Sequence, residues 1–310
     1  MSVLRLTFLG TSAAQPTVRR GLSATYVRAH QDRLLIDCGE GTQRQMLRYG
    51  TGFRVDFVLF THFHADHYLG IVGFLRTLAM GERSEPMTLY GPAPFLDRFL
   101  RKLVHLGFRE MPFPLHFEAV GGGDVIQRPG YAIHVVEVEH RMPALGFVLE
   151  EPPRPGRFDV EAAKALGVPE GPLFGRLQRG ETVTLPDGRT VRPEQVLGEA
   201  RPGRRIAVSG DTRPCTRLAE AAHGADLLVH EATFSEQERD RALETHHSTA
   251  LEAGRIAARA GARHLVLTHL SSRYDQDPDL LREEAARAFD GRITVAFDGL
   301  EIEVPYRDAG

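Results

Sequence analysis

Between Thr61 and Gly70 the chain reads Thr-His-Phe-His-Ala-Asp-His-Tyr-Leu-Gly, and four of these residues, His62, His64, Asp66 and His67, carry a lone pair suited to a divalent cation. His62 and His64 are two apart, so on an extended segment their imidazoles point the same way. Asp66 and His67 follow where the chain turns into a helix and swing to a neighbouring position. One short loop can thus serve two ions, which in two-metal hydrolytic sites lie roughly 3.5 to 4 Å apart. Imidazole and carboxylate without thiolate suit zinc, with manganese as the alternative, and do not suit a structural zinc finger. The bland reading is a polar turn with solvated histidines, but a chance His-x-His-x-Asp-His between a strand and a helix is rare. Val55 to Phe60, apolar throughout except for Asp56, is fit for a buried strand, and Leu69, Val72, Leu75, Leu78 and Ala79 recur at helical spacing. The motif therefore sits at the C-terminal end of a strand, where open α/β sheets place their chemistry.

A length of 310 residues with 25% charged side chains describes an ordinary globular chain. Cys38 and Cys215 are too few for a disulfide framework, which fits two buried thiols in a reducing compartment and a cytoplasmic location. At the N-terminus, Leu4, Leu6 and Phe8 alternate with Arg5 and Thr7, which reads as a strand and not as a signal segment. No run of about 18 apolar residues occurs, so no membrane span is expected. The formal net charge of −3 argues against a broadly basic surface, so a nucleic-acid partner would need local positive charge.

Strands are expected over Ser23 to Ala29 and Arg33 to Asp37, after which Asp37-Cys-Gly-Glu-Gly-Thr reads as a structural turn, with Thr42 capping a helix to about Tyr49. A helix from Pro94 to Leu106 precedes four strands between Leu115 and Leu149. The segment from Glu150 to Gly180 breaks the rhythm with prolines and glycines and reads as a projecting arm without sheet strands. Its cations, including Arg176, are balanced in number by acids. Later come a hairpin from Thr182 to Val191, a strand from Arg205 to Ser209, a strand from Leu227 to His230, a helix from Ser248 to Ala260 and a strand from His264 to Thr268. Strands and helices recur in similar order in both halves, which predicts an α/β/β/α sandwich of two packed mixed sheets with outer helices.

Four apolar runs end in a residue able to bind a metal or move a proton: His62, Asp211, His230-Glu231 and His269. If the strands lie side by side, these residues converge on one cleft. Two ions need about six or seven protein ligands and a shared water. The count gives His62, His64 and His140 for one ion, Asp66, His67 and His269 for the other, and Asp211 between them. His140 alone would read as a polar strand end. His246 and His247 precede a helix that Ser248 or Thr249 can cap; they read either as solvated loop residues or, near the cleft and oriented by Glu231, as donors of a proton to a leaving oxygen.

These residues resemble the metallo-β-lactamase superfamily. Phe8-Leu-Gly-Thr-Ser, Asp37-Cys-Gly-Glu-Gly-Thr, Ser209-Gly-Asp-Thr, His230-Glu-Ala-Thr-Phe, His247-Ser-Thr and Thr268-His-Leu-Ser-Ser-Arg-Tyr further resemble the blocks of the ribonuclease Z family of transfer-RNA 3′-processing endoribonucleases. The resemblance implies one metallo-β-lactamase domain over 1–310, two zinc ions per subunit on the seven ligands counted, Asp66 acting on the attacking water, and His247 with Glu231 serving the leaving 3′ oxygen. It implies one cut of precursor transfer RNA after the discriminator nucleotide, leaving a 3′-hydroxyl and a 5′-phosphate. It further implies a homodimer, with 150–180 as an exosite arm gripping the transfer-RNA elbow around Gly171, Pro172 and Arg176, and with Ser271 and Arg273 holding phosphates beside the scissile bond. No DNA partner is expected. In the loop from Gln15 to Gly21, Val18 and Gly21 stand where many relatives carry a lysine and an asparagine that help discriminate the transfer-RNA 3′ end, while Arg19 and Arg20 remain as RNA contacts. The rival readings are a phosphodiesterase or 3′ exonuclease acting on other diesters, and a metal-bearing RNA-binding protein without turnover.

Overall fold

The computed structural model describes residues 3–93, 95–108 and 110–307. Two compact units emerge: residues 1–150 with 205–305, and residues 151–204 with 306–310.

In chain order, β1 (Leu4–Gly10), β2 (Ala24–Ala29) and β3 (Asp32–Ile36) are followed by α1 (Thr42–Arg48), β4 (Phe57–Leu59), α2 (Ala65–Tyr68), α3 (Ile71–Met80) and β5 (Met87–Pro92). A π-helical turn, Leu96–Arg101, runs into α4 (Lys102–Gly107). Pro94, the expected start of this helix, lies outside the described residues. Then come β6 (Leu115–Val120), β7 (Val125–Arg128), β8 (Tyr131–Val138) and β9 (Ala144–Glu150). The second unit contributes α5 (Val160–Ala165), α6 (Pro172–Gln178), β10 (Val183–Thr184) and β11 (Thr190–Val191). The first unit resumes with β12 (Arg205–Val208), α7 (Thr216–Ala221), β13 (Leu227–Glu231), α8 (Arg239–Thr245), α9 (Ala250–Ala260), β14 (His264–Thr268), α10 (Asp279–Ala286), β15 (Arg292–Val295) and β16 (Glu301–Glu303).

The first unit is an α/β/β/α sandwich. One seven-stranded sheet has the order β16-β1-β2-β3-β4-β5-β6 and the other β15-β14-β13-β12-β9-β8-β7. Each is mixed: β3 to β6 pair in parallel while β1 to β3 pair antiparallel, and β12 to β15 are parallel beside antiparallel β8 and β9. The side-chain period of two assigns the faces. Leu34 and Ile36, Phe57 and Leu59, Ile206 and Val208, and Leu227 and Val229 meet in a shared inner core. Their alternates Leu35, Val58 and Phe60 pack outward with Ile71, Phe74 and Leu75 of α3, and Ala207, Leu228 and Leu265 pack with Ala253, Ile256 and Ala257 of α9. Parallel pairing brings the C-terminal ends of β3 and β4 together in one sheet and those of β12, β13 and β14 in the other.

Two local expectations change. Gly41, at φ +86°, is the N-cap of α1, while the Thr42 hydroxyl donates to the Gly39 carbonyl, so Thr42 opens the helix instead of capping it. The expected hairpin at 182–191 belongs to the second unit, which has its own small core of Ala163, Val168, Leu177, Val183, Leu185, Val191 and Val196. That unit is held by helices and the two-stranded hairpin, with Glu151 and Arg204 forming a buried ion pair at 2.6 Å where it begins and ends. No helix of the described residues is long and apolar enough to cross a membrane.

Candidate metal centre and cleft

Five imidazoles and two carboxylates converge where the strands of the first unit end. His62 follows β4, His64 is the N-cap of α2, and Asp66 and His67 ride on its single turn. His140 follows β8, Asp211 follows β12 and His269 follows β14. The donor atoms of His62, His64, His140 and Asp211 lie within 4.8 Å of one another, as do those of Asp66, His67 and His269. Asp211 Oδ2 is 3.6 Å from His62 Nε2 and 3.4 Å from both His67 Nε2 and His269 Nε2, so one carboxylate oxygen faces both groups.

Most of these rings are oriented through their other nitrogen. His67 Nδ1 lies 2.7 Å from Asp37 Oδ2, His269 Nδ1 2.9 Å from the Thr233 hydroxyl, His62 Nδ1 3.0 Å from the Thr61 hydroxyl and His140 Nδ1 2.9 Å from the His246 carbonyl. Each of these four rings therefore turns Nε2 inward, while His64 turns Nδ1 inward. Nε2 of His62 and Nε2 of His140 sit 3.0 and 3.1 Å from that atom, and the Nε2 atoms of His67 and His269 are 3.3 Å apart. Burial, reinforced by the neighbouring imidazoles, holds His62, His64 and His140 below the usual histidine range. The rings of His62, His64 and His140, held neutral at such separations, aim lone pairs at one another, which is unfavourable unless a cation lies between them. The donor set therefore fits two divalent metal ions, and its nitrogen and oxygen chemistry suits zinc. Burial opposes charge on Asp211, yet the neighbouring imidazoles of His269 and His67 keep it ionised.

Beside this group stands a second pair. Glu231, the last residue of β13, accepts from the Thr212 N–H at 2.9 Å through Oε1 and from the Thr233 hydroxyl at 2.7 Å through Oε2. Its Oε1 also lies 2.8 Å from His247 Nδ1. Burial disfavours a charged His247, but the Glu231 carboxylate outweighs it and lifts the imidazole to about 9. His247 is placed by α8, a helix that the sequence reading did not anticipate, whose C-cap His246 is left-handed at φ 59°. Thr249 caps the following helix through a capping box with Glu252, and Glu252 in turn pairs with Arg213 at 2.7 Å.

A cavity of about 620 Å3 opens over the cluster, lined by Gln15, Asp66, Asp211, His247, His269, Ser271 and Arg273 among others. Asp66 accepts the Ala14 N–H at 2.9 Å. Arg20, expected among the RNA contacts, is 6% exposed and spends its guanidinium on the Thr11 hydroxyl, the Ala296 carbonyl and Asp275. Arg19 is exposed but lines a separate pocket with Arg44 and Arg48. Gly171, Pro172 and Arg176 lie in the second unit, where Arg176 pairs with Glu181 at 3.0 Å.

Residues missed by sequence reasoning are Asp37, Thr61, Thr212 and Thr233, which orient the rings and Glu231, together with Arg141 and Arg241 in the cleft. Asp37 had a usable signal, since it too ends an apolar strand run. The threonines had none, because their role depends on which strand lies beside which.

The metallo-beta-lactamase superfamily model matches residues 18–245. With its paired sheets and its cluster of imidazoles and carboxylates at the strand ends, the chain belongs to the metallo-β-lactamase superfamily. It is 64% identical over 308 residues to ribonuclease Z of Myxococcus xanthus, spanning 99% of this chain and 100% of that protein. Ribonuclease Z of Halorubrum lacusprofundi is 49% identical over 307 residues, with 99% of each chain covered. Among solved structures, human tRNase Z, short form, aligns with a TM-score of 0.67 at 26% identity, covering 97% of this chain and 99% of that one. Within the superfamily the chain belongs to the ribonuclease Z family, and it is a metal-dependent hydrolase of the endoribonuclease class.

Proposed function

We propose that the chain removes the 3′ trailer of precursor transfer RNA by one endonucleolytic cut after the discriminator nucleotide, leaving a 3′-hydroxyl on the transfer RNA and a 5′-phosphate on the trailer. The observation that carries this is the His247–Glu231 pair, 2.8 Å apart, beside a ring of metal donors. Metal donors alone would serve many hydrolases; a charged imidazole next to them supplies the proton that an alkoxide leaving group needs.

His62, His64, His140, Asp66, His67, His269 and the shared Asp211 would hold two divalent ions, zinc first and manganese second. Bound there, the ions would supply positive charge against the scissile phosphate and a more acidic water. Asp66, steadied by the Ala14 N–H, orients the attacking water and accepts its proton. The water oxygen bonds to phosphorus as the bond from phosphorus to the 3′ oxygen breaks. His247 donates its Nε2 proton to that oxygen while Glu231 holds Nδ1, and Thr212 and Thr233 keep Glu231 in register. Ser271 and Arg273, which line the cleft, would hold flanking phosphate.

The second unit supports a transfer-RNA grip within 150–180. Gly171 adopts φ 135°, open to glycine, in an exposed turn that sets Pro172 as the first residue of α6, with Arg176 on that helix. The remaining parts of the reading are a homodimer, a cytoplasmic location and no DNA substrate.

The test is cleavage of an end-labelled precursor transfer RNA lacking CCA by metal-loaded protein, alongside a small phosphodiester. A single product ending at the discriminator supports the reading. A ladder of shortened trailers indicates an exonuclease, and an uncut RNA beside a hydrolysed small diester indicates a phosphodiesterase.

A further inference from the structure

Two cations of the cleft have no part in the mechanism above. Arg141 and Arg241 are exposed and line the cavity, and among the described residues no carboxylate pairs with either guanidinium. Arg273, by contrast, shares its charge with Glu238 at 3.5 Å.

Both free arginines are tied to the surroundings of His247. Arg141 follows His140, whose ring lies 5.0 Å from that of His247, and its guanidinium donates to the Glu244 carbonyl near the end of α8. Arg241 stands 6.0 Å over the Phe234 ring, which meets the His247 ring edge-on at 6.2 Å. Gln15, Ser272, Ser271 and Arg273 form another linked group, with Gln15 donating to the Ser272 hydroxyl at 2.9 Å and Arg273 to the Ser271 hydroxyl at 3.3 Å. This group continues through Ala14 to Asp66. The proton donor and the acceptor of the water's proton thus each have their own set of polar neighbours.

The leaving 3′ oxygen belongs to the last nucleotide of the retained product, so that nucleotide lies over His247. Apart from the scissile phosphate, its own 5′ phosphate is the backbone anion nearest the leaving oxygen on the retained side. We propose that these two arginines form the subsite for the phosphate one nucleotide 5′ of the cut, with the trailer leaving past Gln15, Ser272 and Arg273. The inference rests on the endonuclease reading and adds a direction for the strand. Guanidinium suits the task because it is always charged and can donate to two phosphate oxygens at once, and the ring beneath Arg241 limits its conformational freedom.

The experiment is a double-mutant cycle between protein and RNA. Metal-loaded, full-length wild type, Arg141→Ala, Arg241→Ala and Arg273→Ala are assayed under single turnover. The substrates are an all-phosphate precursor, one with an uncharged methylphosphonate one nucleotide 5′ of the cut, and one with it one nucleotide 3′. Neutralising the 5′ phosphate should slow wild type on the order of 10-fold, the loss expected for one charged hydrogen bond. Arg241→Ala should cause a similar loss, and the two together should cost little more than either alone. The same methylphosphonate should multiply with Arg273→Ala. Arg241 makes no side-chain hydrogen bond to the described residues, so its removal leaves α8 intact even if Arg141→Ala disturbs it. Multiplying losses for Arg241→Ala, or coupling of Arg241 to the 3′ phosphate, overturn the inference alone. An all-phosphate precursor left uncut by wild type overturns the proposed function and this inference with it.

Discussion

Glu231 holds His247 from behind: its Oε1 lies 2.8 Å from Nδ1, while its other oxygen is held by Thr233. This arrangement separates the proposed proton donor from the candidate metal donors, although His247 also stands close enough to Asp211 and His269 to join them geometrically.

The two roles predict different losses. His247→Ala should lower turnover of precursor RNA by about 100-fold or more, the usual worth of a placed general acid. Its metal content, read by elemental analysis after dialysis, should match wild type. Asp211→Ala should lose metal as well as activity. Equal metal loss in the two variants would sink the division.

Asp37 carries a second prediction. It is buried, accepts the Thr61 N–H at 2.8 Å and the Thr61 hydroxyl at 2.9 Å, and sets the ring of His67. Asp37→Asn keeps the shape but removes the charge that fixes this tautomer. Metal affinity should fall about 10- to 100-fold, the usual cost of losing such a supporting partner. Competition with a chromophoric chelator measures it, and an unchanged affinity would reduce Asp37 to a turn residue.

Asp37 also marks how far the sequence was legible. Central strands could be read from their short apolar runs, and Leu34, Leu35 and Ile36 divide between two cores as the period requires. The seven candidate donors could be read because each ends or follows a strand or clusters in one loop. The supporting shell could not: Thr233 reaches His269 across 36 residues, and nothing local to either marks the contact. The burial of Arg20 was illegible for the converse reason. A charge in a loop reads as exposed, but the Thr11 hydroxyl nine residues away and the sequence-distant Ala296 carbonyl and Asp275 hold the guanidinium inside. The helix α8 escaped because it is short and largely charged, with little apolar periodicity to announce it.

His264 gives a pH prediction away from the cleft. It is buried at the start of β14, bonded to the Thr294 hydroxyl at 2.9 Å, and burial together with Arg292 lowers its pKa to about 4. Below its unfolded value of 6.5 the unfolded chain binds a proton that the folded chain refuses. The contribution is therefore complete above about pH 6.5 and is lost progressively as pH falls toward 4. Between pH 7 and pH 5 wild type should lose roughly 2 kcal/mol more stability than His264→Gln, at about 1.4 kcal/mol per pH unit. Denaturant unfolding at both pH values checks it; parallel slopes would refute the assignment.

The last prediction concerns the opposite end of β3 from Asp37. Asp32 accepts from Arg128 Nε and Nη2, both at 2.8 Å, and from the Tyr131 hydroxyl at 2.7 Å, tying the β2–β3 turn of one sheet to the β7–β8 hairpin of the other. The Arg128 guanidinium also lies 4.8 Å over the Phe57 ring, and the His30 ring stacks on Tyr131 at 5.7 Å. Tyr131→Phe removes one hydrogen bond and should cost about 1 kcal/mol. Asp32→Ala leaves a buried hydroxyl and a half-buried guanidinium without their shared acceptor, so it should cost about 3 kcal/mol. Combining the two should cost less than the sum, because Asp32→Ala has already removed the partner that Tyr131→Phe gives up. Urea unfolding of the two single variants and the double variant measures this coupling. Strict additivity would mean that the carboxylate is not the point at which the two sheets are joined.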